Sequence, residues 1–149
     1  MLKLMYITND PAVAKIAADA GVDRIFIDME VLGKAERQGG MDTVQSHHVP
    51  EDIAKVRTAI GSGAEIMARV NPLNPNSQVE IDASIENGAD VIMLPMWRTA
   101  EDLRQLVQMV GGRAKVMPLL ETDAAADNLP EAVKVSGIDQ MFIGLNDLH

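Results

Sequence analysis

The stretch Ile25-Phe26-Ile27-Asp28-Met29-Glu30 decides the fold. An apolar run too short for a helix ends abruptly in carboxylates, and the pattern returns along the chain. Ile66-Met67-Ala68 meets Arg69, Val116-Met117-Pro118-Leu119-Leu120 meets Glu121, and Met141-Phe142-Ile143-Gly144 leads through Leu145-Asn146 to Asp147. Continuous apolar runs suit strands buried on both faces, as in parallel sheets. In parallel α/β folds the chemistry gathers at the carboxyl ends of such strands.

Working outward, strands are expected at Leu2–Thr8, Arg24–Met29, Ile66–Val70, Val91–Met96, Lys115–Leu120 and Gln140–Ile143. Helical patterns alternate with them. Asn9-Asp10-Pro11 reads as a helix start, with Val13, Ile16, Ala17 and Ala20 on one face and Gly21 as the stop. Another helix starts near Pro50. Ser77 with Glu80 reads as a capping box, with Gly88 ending that helix; Thr99 with Asp102 reads as another. Leu103, Leu106, Val107 and Val110 then recur at helical spacing before Gly111-Gly112. A more irregular helical stretch around Pro130 precedes the sixth strand. This alternation implies right-handed βαβ units. Between Glu30 and Pro50 lies a long polar connection, Val31 to Val49, leaving from a strand's carboxyl end.

The chain has 149 residues, a net charge of −9, 47% hydrophobic and 3% aromatic residues, ten methionines and no cysteine. One domain with a core is expected over residues 1–149. The acidity argues against a nucleic-acid partner, since phosphate binding needs a basic face. The missing cysteine excludes disulfides and thiolate chemistry. No run reads as a signal peptide or a membrane span, so a cytoplasmic protein without a membrane partner is expected. A (β/α)8 barrel usually needs about 200–250 residues and eight strands. Periodicity therefore leaves two architectures, an open doubly wound sheet or the front part of a TIM barrel.

Glu121 and Asp147 end successive strands, about 4.8 Å apart in such sheets, and can share one divalent cation. The plainer reading is a helix cap and a turn. Arg69 interrupts an apolar strand; it can hold a substrate carboxylate bidentately or form a structural ion pair with Asp28 or Glu30. Asp28 and Glu30 leave the same face of their strand. His47 and His48 lie in the long loop, where a histidine can act as a base, though exposed histidines without a role are commoner. Lys34 and Arg37 could bind an anion, although a solvated charged loop explains them equally well, and Trp97 and Arg98 could line a pocket or pack under a loop. His149 has less support. No phosphate-binding glycine loop, HExxH or serine elbow is present.

Together these residues resemble the HpcH/HpaI aldolase and citrate lyase β-subunit family of the pyruvate/phosphoenolpyruvate barrel superfamily. The markers are Ile27-Asp28-Met29-Glu30, Ala68-Arg69-Val70-Asn71, Gly88-Ala89-Asp90-Val91-Ile92-Met93-Leu94-Pro95, Leu119-Leu120-Glu121-Thr122 and Ile143-Gly144-Leu145-Asn146-Asp147-Leu148. The resemblance implies a TIM barrel, here truncated after the sixth strand, and a metal-dependent carbon–carbon lyase or aldolase. Its substrate would be a 2-oxo acid or an acyl thioester, reacting through an enolate. Glu121 and Asp147 match the family's metal-binding carboxylates, for Mg²⁺ or Mn²⁺, and Arg69 matches its substrate-binding arginine; Asp28 and Glu30 are expected beside the substrate. Val31 follows Glu30 where aldolase members typically carry a histidine; His47 or His48 could replace that base from the long loop, with His48 the choice. The complete protein is expected to be a homo-oligomer. The alternatives are a phosphoenolpyruvate-type mutase or hydrolase on the same barrel, or an inactive segment serving as a binding or assembly module.

Overall fold

The computed structural model describes residues 2–33, 46–145 and 147–148. Six parallel strands follow one another in space as they do in sequence: β1 (Met5–Ile7), β2 (Arg24–Asp28), β3 (Glu65–Arg69), β4 (Val91–Leu94), β5 (Lys115–Leu120) and β6 (Phe142–Ile143). Between them run α1 (Pro11–Asp19), α2 (Pro50–Ile60), α3 (Ser77–Glu86), α4 (Ala100–Val110) and the short α5 (Asp123–Asp127) and α6 (Leu129–Ala132). The order never reverses, as it must in a doubly wound sheet. The sheet is a curled segment of a TIM-like barrel, with helices outside.

Strand parity sorts the side chains into two cores. Ile25, Ile27, Ile66, Ala68, Ile92 and Leu94 are buried together with Ile53, Val56, Leu103 and Leu106 of the helices. Met67, Val91, Met93, Met117 and Leu119 form a second cluster inside the curl, with Met5 and Phe26 against it. Burial on both faces explains the unbroken apolar runs. At the amino-terminal end of the interior, Arg24 bonds Glu65 at 2.6 Å and Gln140 at 3.0 Å, and Lys115 pairs with the other Glu65 oxygen.

Some local expectations needed correction. Strand β4 stops at Leu94 because Pro95 carries no N–H and Met96 turns into the left-handed region, φ 54°. In α1 the buried residues are Ala14 and Ala17, while Val13 and Ile16 are exposed. Ser77 does not cap α3: its hydroxyl accepts the Asn74 N–H, and Glu80 accepts from Asn71 and Asn74. By contrast, Asp10 accepts from the amides of Ala12 and Val13, and Thr99 with Asp102 forms the expected reciprocal cap.

Strands β1 and β6 are the two edges. Leu4, Tyr6 and Ile7 on one, and Phe142, Ile143 and Leu145 on the other, are exposed apolar residues. Unpaired apolar edges invite strand pairing. The 149-residue chain is therefore expected to self-associate, and Tyr6→Lys with Phe142→Lys to suppress this in sedimentation velocity. A concentration-independent monomer in the unsubstituted chain would refute the expectation. Among the described residues no helix is long and apolar enough to cross a membrane.

Candidate functional site

Parity that directs Phe26 inward also directs Asp28, and the register Asp28↔Arg69 sets the two side by side across β2 and β3. Arg69 grips Asp28 with two parallel bonds, Nε to Oδ1 and Nη2 to Oδ2, both 2.8 Å. Its Nη1 lies 3.4 Å from Glu30 Oε2, and its guanidinium carbon stands 5.5 Å from the Phe26 ring centre. Both carboxylates are buried. Burial disfavours the charge on Arg69, but Asp28 above all, then Glu30 and Glu121, more than offset this and raise its pKa. The ion-pair alternative for Arg69 is thus realised, and Arg69 also lies within electrostatic reach of Glu121.

Glu121, one residue past β5, is 4% exposed. Its Oε1 accepts the Met96 N–H at 3.0 Å. Its pKa is pushed up to about 7, first by burial and then by the neighbouring Glu30 and Asp147; the Met96 bond and Arg69 oppose the rise. Met96 and Gly144 were not singled out in the sequence. Met96 is the one non-glycine residue with positive φ among the described residues, and that strained turn aims its amide at Glu121. Gly144 passes so close that an added Cβ would lie 3.4 Å from Glu121 Oε2. The signals were a proline directly after β4 and a glycine directly after β6.

Among the described residues no three carboxylate or imidazole groups converge as a ready metal set. The donors still suit a hard divalent cation. Glu121 is a buried carboxylate with more negative than positive charge around it, and Asp147 is near enough to reinforce that imbalance. Mg²⁺ commonly takes only one or two protein carboxylates, the rest of its shell coming from water and substrate.

His48 Nδ1 accepts the Asp28 N–H at 3.0 Å. The alternation of β2 explains this. Arg24 N–H and Phe26 C=O bond the β1 side, whereas Met29 N–H bonds Arg69 on β3. The Asp28 amide therefore faces β1, which has already ended, and the imidazole supplies its acceptor. A neutral ring accepting at Nδ1 carries its proton on Nε2. His47 is exposed. Trp97 packs in the helix-side core, with its Nε1 unpaired among the described residues, and Arg98 is exposed. Lys34, Arg37 and His149 lie outside the described residues.

The family model described as HpcH/HpaI aldolase/citrate lyase matches residues 3–149. No curated protein sequence matches. Among solved structures, the chain is similar to an HpcH/HpaI aldolase from Desulfitobacterium hafniense DCB-2, with 16% identity and a TM-score of 0.72 over 98% of this chain and 63% of that one. An HpcH/HpaI aldolase/citrate lyase family protein from Burkholderia cenocepacia J2315 gives 18% and 0.76, over 98% and 64%. The citrate synthase SbnG gives 17% and 0.75, over 98% and 62%. At these identities the likeness is one of fold. The chain spans less than two thirds of the length of each.

Proposed function

The chain belongs to the HpcH/HpaI aldolase/citrate lyase family, and from that premise we propose that the intact protein makes or breaks a carbon–carbon bond beside the enolate of a 2-oxo acid or acyl thioester. The observation that carries this reading is that Arg69, held by Asp28 and Glu30, and the buried Glu121 stand at the carboxyl ends of β3 and β5 of one sheet, within electrostatic reach of each other. Glu121 and Asp147 would hold Mg²⁺ or Mn²⁺, which when bound supplies Lewis-acid stabilisation of a developing enolate oxygen.

The chain's own groups do the rest. In cleavage, the bond's electron pair stays on the pyruvate-like half as an enolate. Arg69, fixed by Asp28 and Glu30, presents permanent positive charge to the substrate's carboxylate and to that oxygen at little reorganisation cost. Asp28 and Glu30 shape the wall beside the substrate through that arginine. The proton of the hydroxyl beside the breaking bond passes to His48 as that hydroxyl becomes a carbonyl, and the imidazolium so formed delivers it to the enolate carbon. This requires Nε2 to offer its lone pair at the outset, with Nδ1 protonated and its contact with the Asp28 N–H given up. The same reading makes the intact protein a homo-oligomer with a small anionic substrate, located in the cytoplasm.

Enolate formation is testable without knowing the full substrate. Pyruvate in D₂O with the intact protein and Mg²⁺ is expected to lose its methyl proton signal by exchange, and chelation to stop this. No exchange with pyruvate or with a simple acyl thioester would refute the reading. His48→Gln is expected to slow exchange by about 10²-fold with little change in pyruvate KM. Lost stability with unchanged exchange in the folded fraction would make His48 a strand cap only.

A further inference from the structure

We infer that Asn71 and Glu80 are positioning residues that hold the Glu30–Arg69 pair in register. Asn71 lies two residues beyond Arg69, and Val31 directly follows Glu30. The Asn71 Oδ1 accepts the N–H groups of both Val31 and Leu32, at 2.9 and 3.0 Å. On its other side, Asn71 donates its own N–H and its Nδ2 to Glu80 Oε2, at 3.2 and 3.1 Å. The second Glu80 oxygen takes the Asn74 side chain at 3.2 Å. Glu80 sits in the first turn of α3. A helix thus orients an amide, and the amide ties down the backbone leaving β2.

The two segments meet twice in succession. Arg69 reaches Glu30 at 3.4 Å, and Asn71 reaches the next two amides. Parallel β2–β3 pairing ends with the Met29 N–H on the Arg69 carbonyl. Past that point the Glu30 N–H turns to Asp28 Oδ1 at 3.3 Å, and for the next two residues the Asn71 side chain takes over the function of a backbone acceptor. An asparagine suits both tasks because it accepts and donates at once. The expectation of Glu80 as half of a capping box assigned it elsewhere; its recruitment by Asn71 and Asn74 is what the structure adds.

The positioning role concerns the geometry of Arg69, and it rests on the proposed function only in making that geometry matter for an anion. Two probes need neither metal nor substrate: amide hydrogen exchange at Val31 and Leu32, and modification of Arg69 by the arginine reagent phenylglyoxal, mapped by mass spectrometry on the intact protein. Asn71→Ala is expected to speed both by about tenfold, with exchange in α4 unchanged as the control for global folding. Asn71→Asp alone should do the same, because the new carboxylate faces that of Glu80. Adding Glu80→Gln should restore both readouts, since the introduced side-chain amide can donate to the new carboxylate while that carboxylate still accepts the two backbone N–H groups. The inference is overturned if Arg69 reactivity stays at its starting value in Asn71→Ala, if Asn71→Asp is already indistinguishable from the unsubstituted protein, or if the double variant is not restored. If Asn71→Ala does not fold, the comparison of Asn71→Asp with the double variant decides alone. Protection of Arg69 from phenylglyoxal by pyruvate tests the anion-binding role separately; its failure would remove that role and leave the positioning result standing.

Discussion

Arg69→Met is expected to destabilise the fold by about 3–5 kcal/mol, the range for stripping one partner from a buried ion pair. Asp28 and Glu30 have side-chain exposures of 3% and 2%, so neither can turn to water when the guanidinium is gone. Methionine fills much of the volume, and the loss is therefore electrostatic. The urea midpoint measures it, and Asp28→Asn with Glu30→Gln in the Arg69→Met background should recover most of it. An unchanged midpoint in Arg69→Met would mean that the carboxylates are not held by this charge. Arg69→Lys is different: it keeps the charge and loses the fork. It should leave a folded protein whose pyruvate exchange falls by at least about tenfold. Normal exchange in Arg69→Lys would confine Arg69 to a structural role.

Glu121→Gln should have two effects of opposite sign. In metal-free protein the Glu121 carboxyl titrates at about 7 instead of 4.5, chiefly because burial disfavours its charge. A folded-state pKa above the unfolded value gives a stabilising contribution that is complete below pH 4.5 and lost as pH rises through about 7. The difference corresponds to about 3 kcal/mol as an order of magnitude. Glutamine cannot ionise, so metal-free Glu121→Gln should be more stable than the unsubstituted chain at about pH 8, with a flatter profile between about pH 5 and pH 8. The same substitution removes a charged oxygen donor, and Mn²⁺ affinity by calorimetry should fall by about 10²-fold or more. Equal Mn²⁺ titrations would refute the metal assignment. A stability profile parallel to that of the unsubstituted protein would show that Glu121 is not the group whose burial is being relieved.

The sequence by itself carried the βα repeat, because strand parity, helical spacing and caps are local properties. Lys115–Leu120 came out residue for residue, and Asp10 and the Thr99–Asp102 pair cap the helices expected of them. The same parity rule put Asp28 and Glu30 on one face and set charge at the strand ends, from which the candidate cluster was legible. Periodicity could not choose between an open sheet and a barrel segment, since that depends on which strands become neighbours. Nor could it choose between partners. Asp28 rather than another carboxylate takes the Arg69 fork because of the β2–β3 register, a contact across 41 residues. Val13 and Ile16 are more apolar than Ala14, yet the core received the alanines, because burial in α1 depends on the surface against which it packs. Ser77 and Glu80 have the spacing of a cap, but Asn71 and Asn74 compete for the same groups once the chain is folded. Pro95 marks the end of β4 but not the left-handed turn of Met96, whose N–H meets a partner 25 residues away, Glu121. Local sequence thus sets which residues line the mouth, while tertiary register and packing decide which of them are paired, which stay strained, and which carboxyl is pushed towards its neutral form.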